Sequence, residues 1–159
     1  MAPKRLLLSL VLTFALAVMA FAAPKRVSTY ADLVKALESG NQVRIVAEYA
    51  KTKLIMDGKE EAAPNATGGT QMESWERFGR ELSRDKREWI STSHTVLISH
   101  PRYGHVYNYV RFRIYEDGNV EVTARYLTVD KYEVVMDEKF MGKISTGKDK
   151  EGIHFFIEP

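Results

Sequence analysis

Apolar and polar positions alternate with a period of two over most of the chain after residue 42, which is typical of half-buried β-strands. Strands are predicted at residues 43–49, 53–56, 89–100, 105–115, 119–127, 132–141 and 153–157. Short turns join nearly all the later strands, so consecutive strands are expected to be antiparallel neighbours. The pattern predicts a mainly β (α+β) fold, an antiparallel meander curved into a barrel or half-barrel with two short helices packed against it.

The first helix is predicted from apolar residues at i, i+3, i+4 and i+7, namely Tyr30, Leu33, Val34 and Leu37. Ser28 or Thr29 can cap its first turn, and Gly40 stands where a helix ends. The second helix is predicted from a capping box at residues 70–73, and its buried side would carry Met72, Trp75, Gly79 and Leu82. Residues 59–69, before it, are predicted to be a long loop.

The hairpin around Glu116-Asp117-Gly118 sets a register that the residue pattern can test. A two-residue turn would place Ile114 on the same face as Glu121, so the faces would be mixed. A three-residue loop with Gly118 in the left-handed conformation separates apolar from charged pairs. It pairs Ile114 with Val120, Phe112 with Val122, Val110 with Ala124, Arg113 with Glu121 and Tyr109 with Arg125. We predict the three-residue loop.

Four polar residues fall on the apolar face in this register and form a hypothetical ligand-binding set: His94, His100, Asn108 and Tyr126. They would line the inside or the rim of the barrel. The interpretation that we favour for the histidines is a polar sheet corner, with each imidazole hydrogen-bonded to a neighbour. A metal site of His94, His100 and His105 is not favoured, because alternation places His105 on the opposite face. No catalytic residue and no metal site are predicted.

A second candidate is an outward-facing stripe of aromatic and basic side chains on one strand: Tyr107, Tyr109, Arg111, Arg113 and Tyr115. Tyrosines that alternate with arginines can stack on rings and hold anions, so the stripe is a hypothetical contact surface for a protein or glycan. The alternative is an ordinary solvent-facing sheet with cross-strand pairs such as Arg113 with Glu121.

The first residues have the three-part pattern of a secretory signal peptide. Lys4 and Arg5 precede an almost wholly apolar run at residues 6–21, and Ala20-Phe21-Ala22 supplies a cleavage site. We expect a leader at residues 1–22, a single domain at residues 23–159 and a periplasmic or secreted location. Cleavage after residues 18–20 and an uncleaved membrane anchor are the alternatives. After cleavage no stable membrane anchor is expected.

Composition and motifs exclude several kinds of chemistry. Lys4 and Arg5 alone account for the formal net charge of +2, so no field draws the mature chain to nucleic acid. Cysteine is absent, which excludes disulfides and thiolate catalysis. The run "GKISTGKD" at residues 142–149 approaches a phosphate-binding loop, but it ends in aspartate and no helical pattern follows. No cofactor is predicted.

Longer stretches resemble the VirK family of small exported bacterial proteins. They are "VLISHPRYGHVYNYVRFRIYEDGNVEVTARYL" with the later "YEVVMDEKFMGKIS", and upstream "ALESGNQVRIV", "DGKE" and a "GG" loop. The resemblance covers nearly the whole mature chain. It implies bacterial export and a link to virulence or envelope biology, and it brings no catalytic residues.

The leading hypothesis is therefore an exported, non-enzymatic module that binds a small molecule or a partner surface. An eight-stranded barrel can hold one small ligand, and the predicted strand count comes near that number. A small hydrolase-type enzyme with His94 or His100 as general base is the first alternative. A purely structural envelope component is the second.

Overall fold

The computed structural model describes residues 23–56 and 58–159. The predicted leader at residues 1–22 and Asp57 lie outside the described residues. The strands are β1 Lys25–Val27, β2 Val43–Glu48, β3 Lys53–Met56, β4 Lys59–Glu61, β5 Thr67–Gln71, β6 Trp75–Phe78, β7 Trp89–His100, β8 Gly104–Tyr115, β9 Asn119–Thr128, β10 Val134–Lys143 and β11 Ile153–Ile157. Helix α1 spans Tyr30–Glu38, and single 3-10 turns occupy Tyr49–Lys51 and Arg80–Leu82.

The strands form two antiparallel sheets. The larger sheet has the order β4-β3-β10-β9-β8-β7-β6, and the smaller one has the order β1-β11-β2-β5. Strands β7 to β10 follow the chain as hairpins, which confirms the predicted meander. In the part of the chain that the structure describes, neither sheet closes on itself, so the fold is the half-barrel rather than the barrel. Sequence order alone did not show that β2 and β11 leave the meander and pair with each other in the second sheet.

The predicted register of the β8–β9 hairpin is confirmed. Ile114 pairs with Val120, Phe112 with Val122 and Arg113 with Glu121. Gly118 has a φ of 81°, and its N–H donates to the carbonyl of Tyr115 at 2.9 Å. The alternation also holds, because Phe112 is 2% exposed and Val122 is fully buried.

Replacing Gly118 with alanine is expected to destabilise the protein by about 1 kcal/mol. A Cβ at this position meets no atom within 4 Å, so the cost is the left-handed backbone alone. Gly118→Asn is the matched control and should cost less, because asparagine tolerates this conformation. Urea unfolding measures both variants, and an alanine variant as stable as the wild type would contradict the assigned turn.

Helix α1 forms where the periodicity predicts it. The hydroxyl of Thr29 accepts the N–H of Asp32 at 3.1 Å, which makes Thr29 the N-cap. Its buried side consists of Tyr30, Leu33, Ala36 and Leu37. Gly40 follows the helix with a φ of 76°, a conformation that glycine adopts without strain.

The second predicted helix is wrong. Its residues form the end of β5, strand β6 and the 3-10 turn. Met72 is buried, but Leu82 is 66% exposed. A short amphipathic helix depends on tertiary packing, and here the edges of β2 and β7 offer this segment backbone hydrogen bonds instead. The predicted loop at residues 59–69 is also wrong, since it contains β4, which pairs with β3, and the start of β5, which pairs with β2.

The core lies between the two sheets and beneath α1. The larger sheet contributes Ile90, Phe112, Ile114, Val120, Val122 and Phe140, and the smaller sheet contributes Val27, Val43, Ile45, Ala47, Ile153 and Phe155. Within the described residues, no helix has the length and apolar character needed to cross a membrane. The packed core occupies one end of the space between the sheets, which leaves the other end for the cavity described next.

Candidate functional site

The cavity arises from one row of side chains across four neighbouring strands. His94 on β7 pairs with Val110, Val110 pairs with Ala124, and Ala124 pairs with Glu138 on β10. All four therefore lie on the same face of the larger sheet. The two central residues are small, whereas the two outer ones are long and ionisable. Small residues flanked by large ones leave a depression in the middle of the row.

Aromatic rings form the floor of this depression. In the row below, Phe112 pairs with Val122, and Val122 pairs with Phe140. Phe140 is 2% exposed, and its ring lies 4.6 Å from that of Tyr49, centroid to centroid, with a tilt of 51°. Because the 3-10 turn that carries Tyr49 follows β2, this contact joins the two sheets.

The opposite wall comes from the edge of the smaller sheet. Backbone at Gly68 and Gly69 of β5 approaches closely, and a Cβ at Gly68 would stand 3.3 Å from the Tyr49 ring. The absence of side chains there keeps the space open between the sheets. Pro64 and Ala66, just before β5, complete this wall.

The resulting cavity has a volume of about 420 Å³, within the range of small-molecule sites. Its lining is mainly apolar and aromatic, with a few polar groups. The side chains with polar atoms are Tyr49, Thr70, His94, Asn108, Tyr126 and Glu138. A mostly apolar cavity with a few convergent polar groups can hold a small organic molecule in a defined orientation.

The electrostatics of the cavity centre on Glu138. Burial raises the pKa of its carboxyl above the usual range. Burial likewise raises the pKa of Tyr49, and the charges of Glu138 and Tyr126 add to this effect. The described residues include no ion-pair partner for Glu138, in contrast to the neighbouring Asp137, which pairs with Arg125 at 3.0 Å. Glu138 is therefore a partly desolvated carboxylate without a counter-ion.

The structure brings three of the four predicted ligand-binding residues together. His94, Asn108 and Tyr126 line the cavity, whereas His100 does not. The ring of His100 instead packs on Tyr126, 5.1 Å between centroids, and on Tyr103 at 4.9 Å. Its Nδ1 accepts the backbone N–H of Arg102 at 3.2 Å. The ligand-binding role of all four residues stays a prediction.

Sequence reasoning missed Tyr49 and Glu138. Glu138 shares the parity of Met136 and Phe140, which lie on the apolar face, and this parity is the signal that would have found it. Adjacent residues on a strand face opposite ways, so of the pair Asp137-Glu138 only Glu138 enters the cavity. No sequence signal places Tyr49 opposite β10.

The predicted outward stripe lies on the other face of the larger sheet and is only partly accessible. Tyr115 is 7% exposed and lies beneath the guanidinium of Arg87, 3.9 Å from its ring centroid, so it is not available as a contact residue. Tyr107, Tyr109, Arg111 and Arg113 are intermediate in exposure. Tyr107 stacks on Tyr132 with centroids 5.8 Å apart.

Glu121 lies opposite Arg113 in the register, as predicted, but its ion pairs are with two other residues. Its carboxylate lies 3.8 Å from Arg111 and 3.7 Å from Lys139. The Nε atoms of both Arg111 and Arg113 are buried without a hydrogen-bond partner among the described residues. Arg113 instead lies 5.5 Å from the ring of Trp89. The contact role of the stripe stays a prediction.

Comparison with known proteins identifies the family. A model of the VirK protein family matches residues 26–132. The chain belongs to the VirK family. Its fold is similar to the crystal structure of a VirK family protein from Legionella pneumophila, with a TM-score of 0.65 and 14% identity over 83% of this chain and 98% of that one. No curated protein shows significant sequence similarity to the present chain.

Two features of this VirK family chain bear on catalysis. A general-base histidine needs a partner that orients it, and in residues 23–56 and 58–159 neither His94 nor His100 forms an ion pair with a carboxylate. His154 does contact a carboxylate, because its Nε2 lies 2.7 Å from Glu48. Its Nδ1, however, binds Arg26 at 2.8 Å, and His154 lies outside the cavity. Among the described residues, no group of three potential metal ligands converges.

The loop of this VirK family chain that resembles a phosphate-binding motif is held together by hydrogen bonds to one of its own side chains. Asp149 accepts the hydroxyls of Ser145 and Thr146 at 2.8 and 2.7 Å and the N–H of Glu151 at 3.1 Å. These bonds hold the pKa of Asp149 well below its usual range. Strand β11 follows the loop, so the helix that a phosphate-binding loop requires is not formed there.

Proposed function

We propose that this VirK family member is an exported, non-enzymatic module that binds one small organic molecule between its two sheets. Export is supported by the leader pattern at residues 1–22. Binding is supported above all by the cavity of about 420 Å³ with its aromatic floor and few polar groups. The periplasm or the exterior is the proposed location, and an association with virulence is proposed only from the family resemblance.

The two alternatives have weaker support. The enzyme hypothesis requires a histidine oriented by a carboxylate in an open cleft, and neither His94 nor His100 has that contact among the described residues. A purely structural role predicts a filled interior. The small residues Val110 and Ala124 at the centre of a polar row instead keep space where a filled interior would have larger side chains.

Native mass spectrometry of the folded protein, produced from the full chain in a bacterial periplasm, tests the proposal. We expect the wild type to carry an added small-molecule mass. Ala124→Leu should lower the occupied fraction at least tenfold, because Ala124 lies at the centre of the row and is 8% exposed. The protein mass itself shows whether the leader has been removed.

Leu127→Phe is the matched control, since it lies on the same strand but on the opposite face, and it should keep the ligand. If Ala124→Leu does not fold, His94→Leu at the exposed end of the row replaces it. A wild type without added mass, whose melting temperature no cationic, neutral or anionic small molecule raises, would contradict the proposal. Equal occupancy in Ala124→Leu would place the ligand elsewhere.

A further inference from the structure

We infer that the ligand of this cavity is a small organic amine, whose ammonium group pairs with Glu138 and whose apolar body lies on the aromatic floor. The inference rests on the proposed function and adds the chemical class of the ligand. It is carried by the charges of the lining, the arrangement of the aromatic rings and the number of carboxylates.

The charge of the lining is unbalanced. Among the described residues that line the cavity, Glu138 is the one carboxylate, and none is a lysine or an arginine. A partly buried carboxylate without a counter-ion is costly, because it has lost part of its hydration. The neighbouring charged residues Asp137 and Lys139 face the other side of the sheet, where they pair with Arg125 and Glu121. A cationic group in the cavity would relieve the cost at Glu138.

The aromatic rings favour the same ligand. Tyr49, Phe112, Tyr126 and Phe140 line the cavity together. The negative face of an aromatic ring attracts an ammonium group, and the attraction is stronger when the pair is desolvated. The phenol oxygens and the Asn108 carbonyl are also hydrogen-bond acceptors for its N–H groups. An anionic ligand would meet the carboxylate and these ring faces with neither lysine nor arginine among the described lining residues to offset them.

The lining also distinguishes an organic amine from a metal ion. Calcium requires six to eight oxygen ligands, usually with several carboxylates, whereas the described lining residues include a single carboxylate. His94 lies at the far end of the same row, about 14 Å from Glu138 at roughly 4.8 Å per strand. That span fits a molecule with a ring or chain attached to its amine, and the apolar residues between the two ends fit the body of such a molecule.

Three probes of similar size test the inference in calorimetric titrations of the folded protein: phenethylamine, 2-phenylethanol and 3-phenylpropionate. They share a phenyl ring and differ in charge. We expect phenethylamine to bind at least tenfold more tightly than 2-phenylethanol and 3-phenylpropionate to bind least. Glu138→Gln should weaken phenethylamine at least tenfold and leave 2-phenylethanol unchanged.

Asp137→Asn is the matched control, because it removes a carboxylate from the adjacent position on the opposite face, and it should not change phenethylamine binding. The pH dependence of phenethylamine binding provides a second readout. The titratable groups that face the cavity are Glu138, His94, Tyr49 and Tyr126. Protonation of Glu138, whose pKa burial raises, removes the attraction, so phenethylamine should bind more weakly as the pH falls. Glu138→Gln should reduce this pH dependence.

The outcomes separate this inference from the proposed function. Equal binding of phenethylamine and 2-phenylethanol, or an unchanged affinity of Glu138→Gln for phenethylamine, overturns the inference that the ligand is an amine. The proposal that the cavity binds a small molecule would still stand. Preference for 3-phenylpropionate reverses the charge assignment. If none of the three probes binds, a neutral or anionic molecule that co-purifies with the protein overturns only the inference of an amine ligand. The absence of any ligand overturns that inference and the proposed function together.

Discussion

Phe140→Ala is expected to lower the free energy of unfolding by about 3–5 kcal/mol, the range for removing a buried aromatic ring. Phe140 is 2% exposed. It lies between Val122 of β9 and Leu54 of β3, and its ring also packs on Tyr49 of the other sheet. The substitution removes apolar contact from both sheets at once. Because small domains have a total stability of about 5–15 kcal/mol, the loss is a large fraction of the whole.

Urea unfolding followed by tryptophan fluorescence measures the effect. Phe140→Leu keeps most of the apolar volume and should cost less than about 1.5 kcal/mol, so it provides a value even if the alanine variant does not fold. Val134→Ala on the same strand is the surface control, since Val134 is 51% exposed, and it should change stability by about 0.5 kcal/mol or less. A loss below about 1 kcal/mol in Phe140→Ala would mean that the two sheets do not share this ring.

Glu88→Ala should have the second-largest effect, a loss of about 1.5–3 kcal/mol, as is usual for hydrogen bonds to a charged group. Glu88 accepts the hydroxyl of Tyr30 and the Nε–H of Arg77, both at 2.9 Å. Arg77 also pairs with Glu38 at 2.7 Å. These bonds join both ends of α1 to the edge of the larger sheet. Alanine would leave the Tyr30 hydroxyl, on a residue 8% exposed, without this acceptor.

The contribution of Glu88 should depend on pH. The bond from Arg77 holds the pKa of Glu88 below its ordinary value of 4.5, and the bond from Tyr30 acts in the same direction. A lowered folded pKa stabilises the protein above the unfolded pKa, and this stabilisation is lost as the pH falls through the folded pKa. The difference in unfolding free energy between wild type and Glu88→Gln should therefore be constant near pH 7 and shrink from roughly pH 5 to pH 3.

Two controls accompany this series. Tyr30→Phe removes one of the two bonds and should cost about 1 kcal/mol. Glu76→Ala removes an exposed carboxylate of β6 and should change stability by about 0.5 kcal/mol or less. A Glu88→Gln variant whose stability differs from the wild type by the same amount at pH 7 and pH 3 would show that the charge of Glu88 does not hold α1.

The sequence predicted those parts of the fold that depend on local rules. Alternation identified β7 to β11, and the residue types around Gly118 were sufficient to choose the register of β8 and β9. Capping and periodicity identified α1. The second helix was wrong because its capping box is a local signal, whereas the pairing of β5 with β2 and of β6 with β7 depends on strands distant in sequence.

The residues of the candidate site likewise include some that local patterns predicted and some that they did not. Alternation on consecutive hairpins placed His94, Asn108 and Tyr126 on one face, and all three line the cavity. His100 has the same parity but lies beyond the cavity, because parity specifies a face and not a position along the strand. Tyr49 and the two glycines of β5 come from the other sheet, and no local pattern connects them to β10.

The sequence by itself determined which face the residues of β7 to β10 occupy, because side chains on a strand alternate and a slip of one residue would mix apolar and charged pairs. The tertiary structure alone decided that β2 and β11 form a second sheet and that Tyr49 meets Phe140 across the gap. It also decided that Glu138 has no counter-ion among the described residues. The physical reason is that contacts between sheets depend on long-range packing, in which residues far apart in the chain compete for the same space.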